Sequence, residues 1–212
     1  MGASQLRVGG AILAGGQGRR MGEGPQKPLR LLGGKPLLNH VLDHVSPQVE
    51  ICVINAKRGS LLEKMAEPQV SDRREGFAGP LAGLEAVYEW YASQAPAITH
   101  ILAVAADMPF LPDNLVARLA LCSAGSEETV SLAAWKGQIQ PLAALWPTSL
   151  RPALSRWLDS QDRRSIQAFV ATCNARIIDF THDFPDEDPF MNVNRPEDLV
   201  VAEQRLKARQ QR

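Results

Sequence analysis

Short apolar runs alternate along this chain with segments of helical spacing. Val8–Leu13 is a compact apolar run that ends against glycines. Residues 36–45 then place Leu37, Leu38, Val41, Leu42 and Val45 on one helical face, with Pro36 in the first turn, where a missing N–H costs nothing. Residues 50–55 (EICVIN) read as a strand, 59–65 as a short helix and 68–71 as a short strand before Asp72. Residues 81–91 return to helical spacing through Leu81, Leu84, Val87, Tyr88 and Tyr91, and THILAVAAD (99–107) is a buried strand that ends on an acid. A helix is expected over 111–121, with Pro112 near its start. TVSLAAW and IQPLAALW, separated by KGQ, predict a hairpin. Helices follow over 150–158 and 165–172, then a strand in ARIIDF (175–180) and a final helix over 196–209.

Helices between strands in the first half predict parallel pairing through right-handed crossovers. The second half is more mixed. With no linker and no repeat, the chain reads as one three-layer α/β domain with a mostly parallel sheet. In such sheets ligands collect beyond the carboxyl ends of the strands. Three features fall at such ends: the loop after Leu13, Asn55 after the second strand, and Asp107 after the strand at 99–107.

Composition narrows the function classes. The 212 residues carry 23 basic and 23 acidic side chains, so no general basic field invites nucleic acid, although a local basic site remains open. Cys52, Cys122 and Cys173 are scattered, without metal-ligand spacing or a disulfide framework. No apolar run approaches the ~18 residues of a membrane span, and the first residues lack a signal-like apolar stretch, so a cytoplasmic location is expected.

The candidate chemistry starts in AILAGGQGRRMGEGPQKPL (11–29). The P-loop pattern fails here, because the chain's Gly-Lys pair, Gly34-Lys35, is followed by Pro36. A dinucleotide fingerprint fails as well, because Met21 stands where the third glycine belongs. Gly15, Gly16 and Gly18 still let backbone N–H groups approach an anion, and Arg19, Arg20 and Lys27 can offset phosphate charge. Asp107 offers a hard carboxylate of the kind Mg²⁺ takes singly or in pairs, the rest of its shell coming from phosphate and water. The competing reading is an ordinary turn aspartate before Pro109. Asp72 precedes a glycine-lined helix start at 79–83, which suits an anion or simply a turn. His40 and His44 share a helix face but lack a third ligand, and the absence of GxSxG argues against a serine nucleophile. Asn194 reads as a helix N-cap, with Pro196 in the first turn and Glu197 three residues on.

Five blocks occur in order: LAGGQGRRMG with Lys27, VINA at 53–56, Asp72 before GPLAG at 79–83, ADMPFLP at 106–112, and FMNVNRPEDL at 190–199. Together they resemble the molybdenum cofactor guanylyltransferase family over nearly the whole chain. The resemblance implies a Rossmann-like nucleotidyltransferase fold, with a GTP-binding half at roughly residues 6–110 and a molybdopterin-side half at roughly 111–207. It implies transfer of GMP from GTP to the terminal phosphate of molybdopterin, with Mg²⁺ as cofactor and pyrophosphate as the leaving product. On this resemblance Leu13, Ala14, Gly15 and Gly16 contact the nucleotide, Arg20 and Lys27 act on its phosphates, Asn55 and Asp72 hold the guanosine part, and Asp107 ligates the metal. Gly79, Gly83, Asn192 and Asn194 line the molybdopterin side. A monomer that makes transient contacts with other cofactor-biosynthesis proteins and with apo-molybdoenzymes is the implied setting.

The match departs in places. Gln26 stands where the family often has Asp, the loop is one residue longer, and Asp107-Met108-Pro109 is closer to the related cytidylyltransferases. LAGG and GPLAG favour guanine. The open alternatives are a molybdopterin cytidylyltransferase, a transferase acting on a sugar or alditol phosphate, and a non-catalytic nucleotide or cofactor carrier.

Overall fold

The computed structural model describes residues 6–16, 21, 24–60, 62, 65–74, 79–123, 128–160 and 165–211. The first strand, β1 (Val8–Leu13), is buried on both faces, and its near-continuous apolar run is the signature of an interior parallel strand. It pairs in parallel with β4 (Cys52–Asn55) on one side and β6 (His100–Ala105) on the other. A short β5 (Gln69–Val70) extends the sheet beyond β4. On the far side β8 (Gln138–Pro147) runs antiparallel to β6, followed by β7 (Val130–Trp135) and the parallel edge strand β9 (Ala175–Asp179). The seven-stranded order is β5-β4-β1-β6-β8-β7-β9, a mostly parallel sheet with β8 reversed. The sheet therefore runs without a break through both halves of the sequence.

Alternate side chains of the inner strands go to opposite layers. Val8, Ile12, Leu102 and Val104 pack with α1 (Leu37–Val45) and α3 (Leu115–Ser123). Ala11, Ile101 and Ala103 pack with α2 (Pro80–Gln94), α4 (Arg151–Ser160) and α5 (Ile166–Val170). A third cluster joins Met21, Leu32, Leu37, Phe110, Val193 and Ala202, and seats the last helix, α6 (Pro196–Gln210), beside the main sheet. The hairpin expected between β7 and β8 is present. Its turn is Lys136-Gly137, both at positive φ (47° and 76°), which suits the twist of a tight hairpin.

Three local readings change. Helix α3 starts at Leu115, not at 111. The residues before it make a turn, in which Leu115 N donates to Pro112 O at 3.2 Å. The helix start is instead held from outside, since the Gln48 side-chain carbonyl accepts from Val116 N at 2.9 Å and its amide donates to Pro112 O at 2.9 Å. A small antiparallel pair, β2 (Leu31–Leu32) and β3 (Lys35–Pro36), is additional to the expected elements. Asn194 is not the N-cap of α6. Extended Arg195 takes that position, and Asp198 Oδ2 accepts from both Asn194 N (2.8 Å) and Arg195 N (2.9 Å). Of the short helix expected over 59–65, residues 61, 63 and 64 lie outside the described residues.

Tyr91 locks α2 to the sheet. Its hydroxyl lies 2.9 Å from Gly10 O and 2.7 Å from Ile51 O, and its ring crosses β1 so closely that a Cβ on Gly9 would sit 2.4 Å from it. Gly9→Val is therefore expected to lower unfolding free energy by about 3 kcal/mol, at the upper end for overpacking. Urea denaturation checks this; a loss under about 1 kcal/mol contradicts the reading.

Candidate functional site

Register alone brings the predicted positions together. Leu13 pairs with Asn55 across β4 and with Ala105 across β6, so the three strands end level with one another. The chain leaving β1 stays tied on both sides: Ala14 N donates to Asn55 O (2.8 Å) and Ala106 N to Leu13 O (3.1 Å). A fourth segment closes in from the C-terminal half, where Val193 N donates to Asp107 O at 2.9 Å. Val193 is buried, and in this extended stretch its neighbours Asn192 and Asn194 lie on the opposite side, toward the strand ends.

The result is an open cleft of about 270 Å³. Leu13, Ala14, Gly15 and Gly16 form its first wall and Lys27 and Asp107 stand in its middle. Asn55, Asp72 and Gly79 lie on the β4 side, Asn192 and Asn194 on the other. Sequence reasoning had not singled out Pro28, Pro80, Ala105, Ala106 or Leu142, which complete the lining. Pro28, Pro80 and Ala106 flank predicted residues, so adjacency was a usable signal, and Ala105 pairs with Leu13 across the sheet. Leu142 lies on β8, and nothing in its apolar run distinguishes it from the core. Arg20 lies outside the described residues.

Gly83, expected on the molybdopterin side, does not line the cleft itself. It sits behind Asn55, where an added Cβ would come within 2.3 Å of Asn55 Oδ1. The absence of a side chain there lets the buried Asn55 amide lie flat against α2. Asn55 Nδ2 then donates to Asp72 Oδ1 at 2.9 Å, with Val70 O at 3.4 Å, so β4 and the strand-end acid are coupled.

The electrostatic centre is Lys27. It opens a one-turn helix (Lys27–Leu29) whose entry residue Gln26 is extended and uses its carbonyl to accept from Leu29 N (2.8 Å). The Gln26 side chain is exposed and makes no cap bond, which gives the unexpected residue a backbone role. Lys27 Nζ donates to Asp107 Oδ2 and, at 2.6 Å, to Asn194 Oδ1. Both charged side chains are largely sequestered, 13% and 14% exposed. Asp107 Oδ1 is buried and, among the described residues, has no hydrogen-bond partner. A buried carboxylate oxygen without a partner is costly in the free protein, and it is a donor of the hard type that suits Mg²⁺. A single carboxylate is enough for a cation that draws its remaining ligands from phosphate and water. Among the described residues no cluster of three or more His, Cys, Asp or Glu side chains gathers elsewhere.

The other candidates resolve into structure. His40 Nε2 lies 2.8 Å from Leu32 O, and His44 Nδ1 lies 2.6 Å from Asp113 Oδ1, so each imidazole already has a partner. Burial pushes the Cys52 thiol up to about 12 and raises Cys173, so neither supplies a thiolate nucleophile near neutral pH. Phosphate neutralisation by Lys27 and a metal at Asp107, with no covalent enzyme intermediate, is the chemistry this arrangement can support.

Known proteins resemble this chain in both sequence and fold. Residues 10–175 match the family described as the MobA-like NTP transferase domain. A molybdenum cofactor guanylyltransferase from Bradyrhizobium sp. (strain ORS 278) is 42% identical over 206 residues, covering 97% of this chain and 95% of the relative. One from Rhizobium leguminosarum bv. trifolii (strain WSM2304) is 37% identical, covering 95% and 94%. The crystal structure of molybdopterin-guanine dinucleotide biosynthesis protein A from Archaeoglobus fulgidus superposes with a TM-score of 0.75 at 25% identity, covering 94% of this chain and 99% of that one.

Gly83→Ala tests the packing behind Asn55. The added methyl must displace the Asn55 amide, and a shift of that size in a positioning group is expected to weaken GTP binding about tenfold or more. Calorimetric titration with GTP measures it; unchanged affinity would mean that Asn55 takes no part in the nucleotide site.

Proposed function

The chain belongs to the MobA-like NTP transferase family, and we propose on that footing that it transfers GMP from GTP to the terminal phosphate of molybdopterin. A phosphate oxygen of molybdopterin forms a bond to the α-phosphorus of GTP while the α–β bridging P–O bond breaks. Pyrophosphate leaves with the electron pair. The observation that carries this reading is the meeting of Lys27, Asp107 and Asn194 beside the glycine-lined end of β1.

The residue roles follow from charge and position. The open backbone at Gly15 and Gly16 receives the phosphates, with Leu13 and Ala14 beneath the nucleotide. Asn55 and Asp72 hold the guanosine part, since a carboxylate accepts from the N–H groups along one edge of guanine. Lys27 leaves Asp107 for the phosphates and neutralises the departing pyrophosphate, and Arg20 adds a second cation there. Asn192, Asn194 and Gly79 face the molybdopterin side. Asp107, through Oδ1, holds Mg²⁺, which when bound supplies charge neutralisation across the phosphates. Freed of Lys27, Asp107 keeps a cationic partner in the metal, so its carboxylate is never left alone.

We assign the GTP half to roughly residues 6–110 and the molybdopterin half to roughly 111–207, both served by one sheet. Among the described residues no helix is long and apolar enough to cross a membrane. A cytoplasmic monomer that meets cofactor-biosynthesis proteins and apo-molybdoenzymes transiently is the setting that fits this reading.

Two measurements test it. GTP with Mg²⁺ at about a hundred times its dissociation constant should stabilise the fold by about 2.7 kcal/mol in a thermal-shift series, while CTP at equal concentration should not. Equal stabilisation by CTP would favour the cytidylyltransferase alternative. Asp107→Asn should reduce GMP transfer about 10²–10³-fold with the folded state retained, and near-normal turnover would remove Asp107 from the metal site.

A further inference from the structure

The segment that follows β5 is pinned at Ser71, Asp72 and Arg74, of which Asp72 lines the cleft. Ser71 Oγ donates to Ala56 O at 2.8 Å, and Asp72 Oδ1 accepts from Asn55. Arg74 reaches away from the cleft into the helical layer. Its Nε and Nη2 form a two-pronged pair with Glu85 Oε2 and Oε1, each at 2.7 Å, and its Nη1 donates to Asp159 on α4 at 2.7 Å. Nη2 also lies 3.4 Å from Ser155 O. The Glu85 side chain is only 9% exposed and that of Arg74 21%. Hydrogen bonds donated to Glu85, and then to Asp159, raise the Arg74 pKa, so the cation persists at any working pH.

A sequestered ion pair of this kind gives little net stability, because desolvation offsets the Coulomb gain. What a guanidinium fork does give is fixed geometry. Glu85 stands two residues beyond Gly83 on the same helix, and Gly83 is the residue that seats Asn55. Helix α2 thus holds both members of the Asn55–Asp72 couple. Asn55 rests directly on Gly83, and Asp72 hangs from a segment whose other end is clamped to Glu85.

We infer that the Arg74–Glu85–Asp159 clamp is a specificity device: it positions the Asp72 carboxylate so that the site selects guanine over bases lacking an adjacent pair of N–H donors. Arg74 and Glu85 are positioning residues that touch no substrate. The inference rests on the assignment of Asn55 and Asp72 to the guanosine part.

The test is steady-state kinetics of GMP and AMP transfer to molybdopterin by the full chain, with GTP and ATP as competing donors. Arg74→Gln should raise KM for GTP about tenfold and cut the preference for GTP over ATP by a similar factor, while kcat for GTP stays within about twofold. Arg74→Lys, which keeps the charge but not the fork, should fall between the two. Arg118→Gln breaks an ion pair with Asp183 near the opposite edge of the sheet and should leave both constants unchanged. If Arg74→Gln does not fold, Glu85→Gln carries the same expectation. A fall in melting temperature with unchanged donor preference makes the clamp purely structural and overturns the inference. Asp72→Ala separates the two levels. If it also leaves the preference unchanged, the guanosine assignment fails and the inference with it. If it relaxes the preference while Arg74→Gln does not, the clamp alone is refuted.

Discussion

Parallel pairing of β1 with both of its neighbours is the constraint on which the rest of the structure depends. Because Leu13 is level with Asn55 and Ala105, three chain segments leave the sheet side by side. Each must turn at once, and each turn needs partners for the backbone groups it releases. The bonds from Ala14 to Asn55 and from Ala106 to Leu13 meet that need by lacing the turns together. A one-residue slip of β1 would reverse the layers into which Ala11 and Ile12 point and would separate the glycine-lined turn from Asp107. The site is therefore specified by the same burial that specifies the sheet.

Within that frame the charge arrangement is poised for exchange. In the free protein Lys27 is shared by Asp107 and Asn194, and Asp107 keeps one oxygen without a partner among the described residues. Neither ion is at rest in the sense of a finished structural pair, because a well-satisfied buried carboxylate would use both oxygens. On the proposed reading, a triphosphate with its metal would offer each ion a new partner at the same moment: phosphate oxygen for Lys27 and a divalent cation for Asp107. Such an exchange would keep the number of opposed charges in the cleft balanced, so binding would not require burying an isolated ion.

Much of this was legible in the sequence because the inner strands are apolar on both faces. Val8–Leu13 and His100–Ala105 carry no competing period, and each is followed within two residues by a glycine pair or an aspartate. The glycine-rich turn, Asn55 and Asp107 were legible for the same reason, as polar or bare positions directly after such runs. The failures are equally physical. Asn194 followed by Arg-Pro-Glu-Asp has the composition of a capping box, but the N-cap is Arg195 with Asp198 as its partner, and the Asn194 side chain turns to Lys27. Leu111, Leu115 and Leu119 share one cluster at helical spacing, so spacing alone misplaced the start of α3, although residues 112–115 first make a turn in which Leu115 N donates to Pro112 O. Gly83 reads as part of a glycine-lined helix start, and only the contact with Asn55 reveals that its bareness serves packing. Two-residue strands such as β2 and β3 are too short to show any period. The Arg74 clamp joins residues 11 and 85 positions apart, which no local pattern encodes.

The central claim is that Lys27 exchanges Asp107 for phosphate when nucleotide and metal enter the cleft. A crystal structure of the protein with a non-hydrolysable GTP analogue and Mg²⁺ tests it most directly. The account predicts Mg²⁺ on Asp107, Lys27 Nζ bonded to phosphate oxygens and guanine against Asn55 and Asp72. A complex in which the Lys27–Asp107 pair stays intact, with the metal and phosphates bound elsewhere, would contradict it.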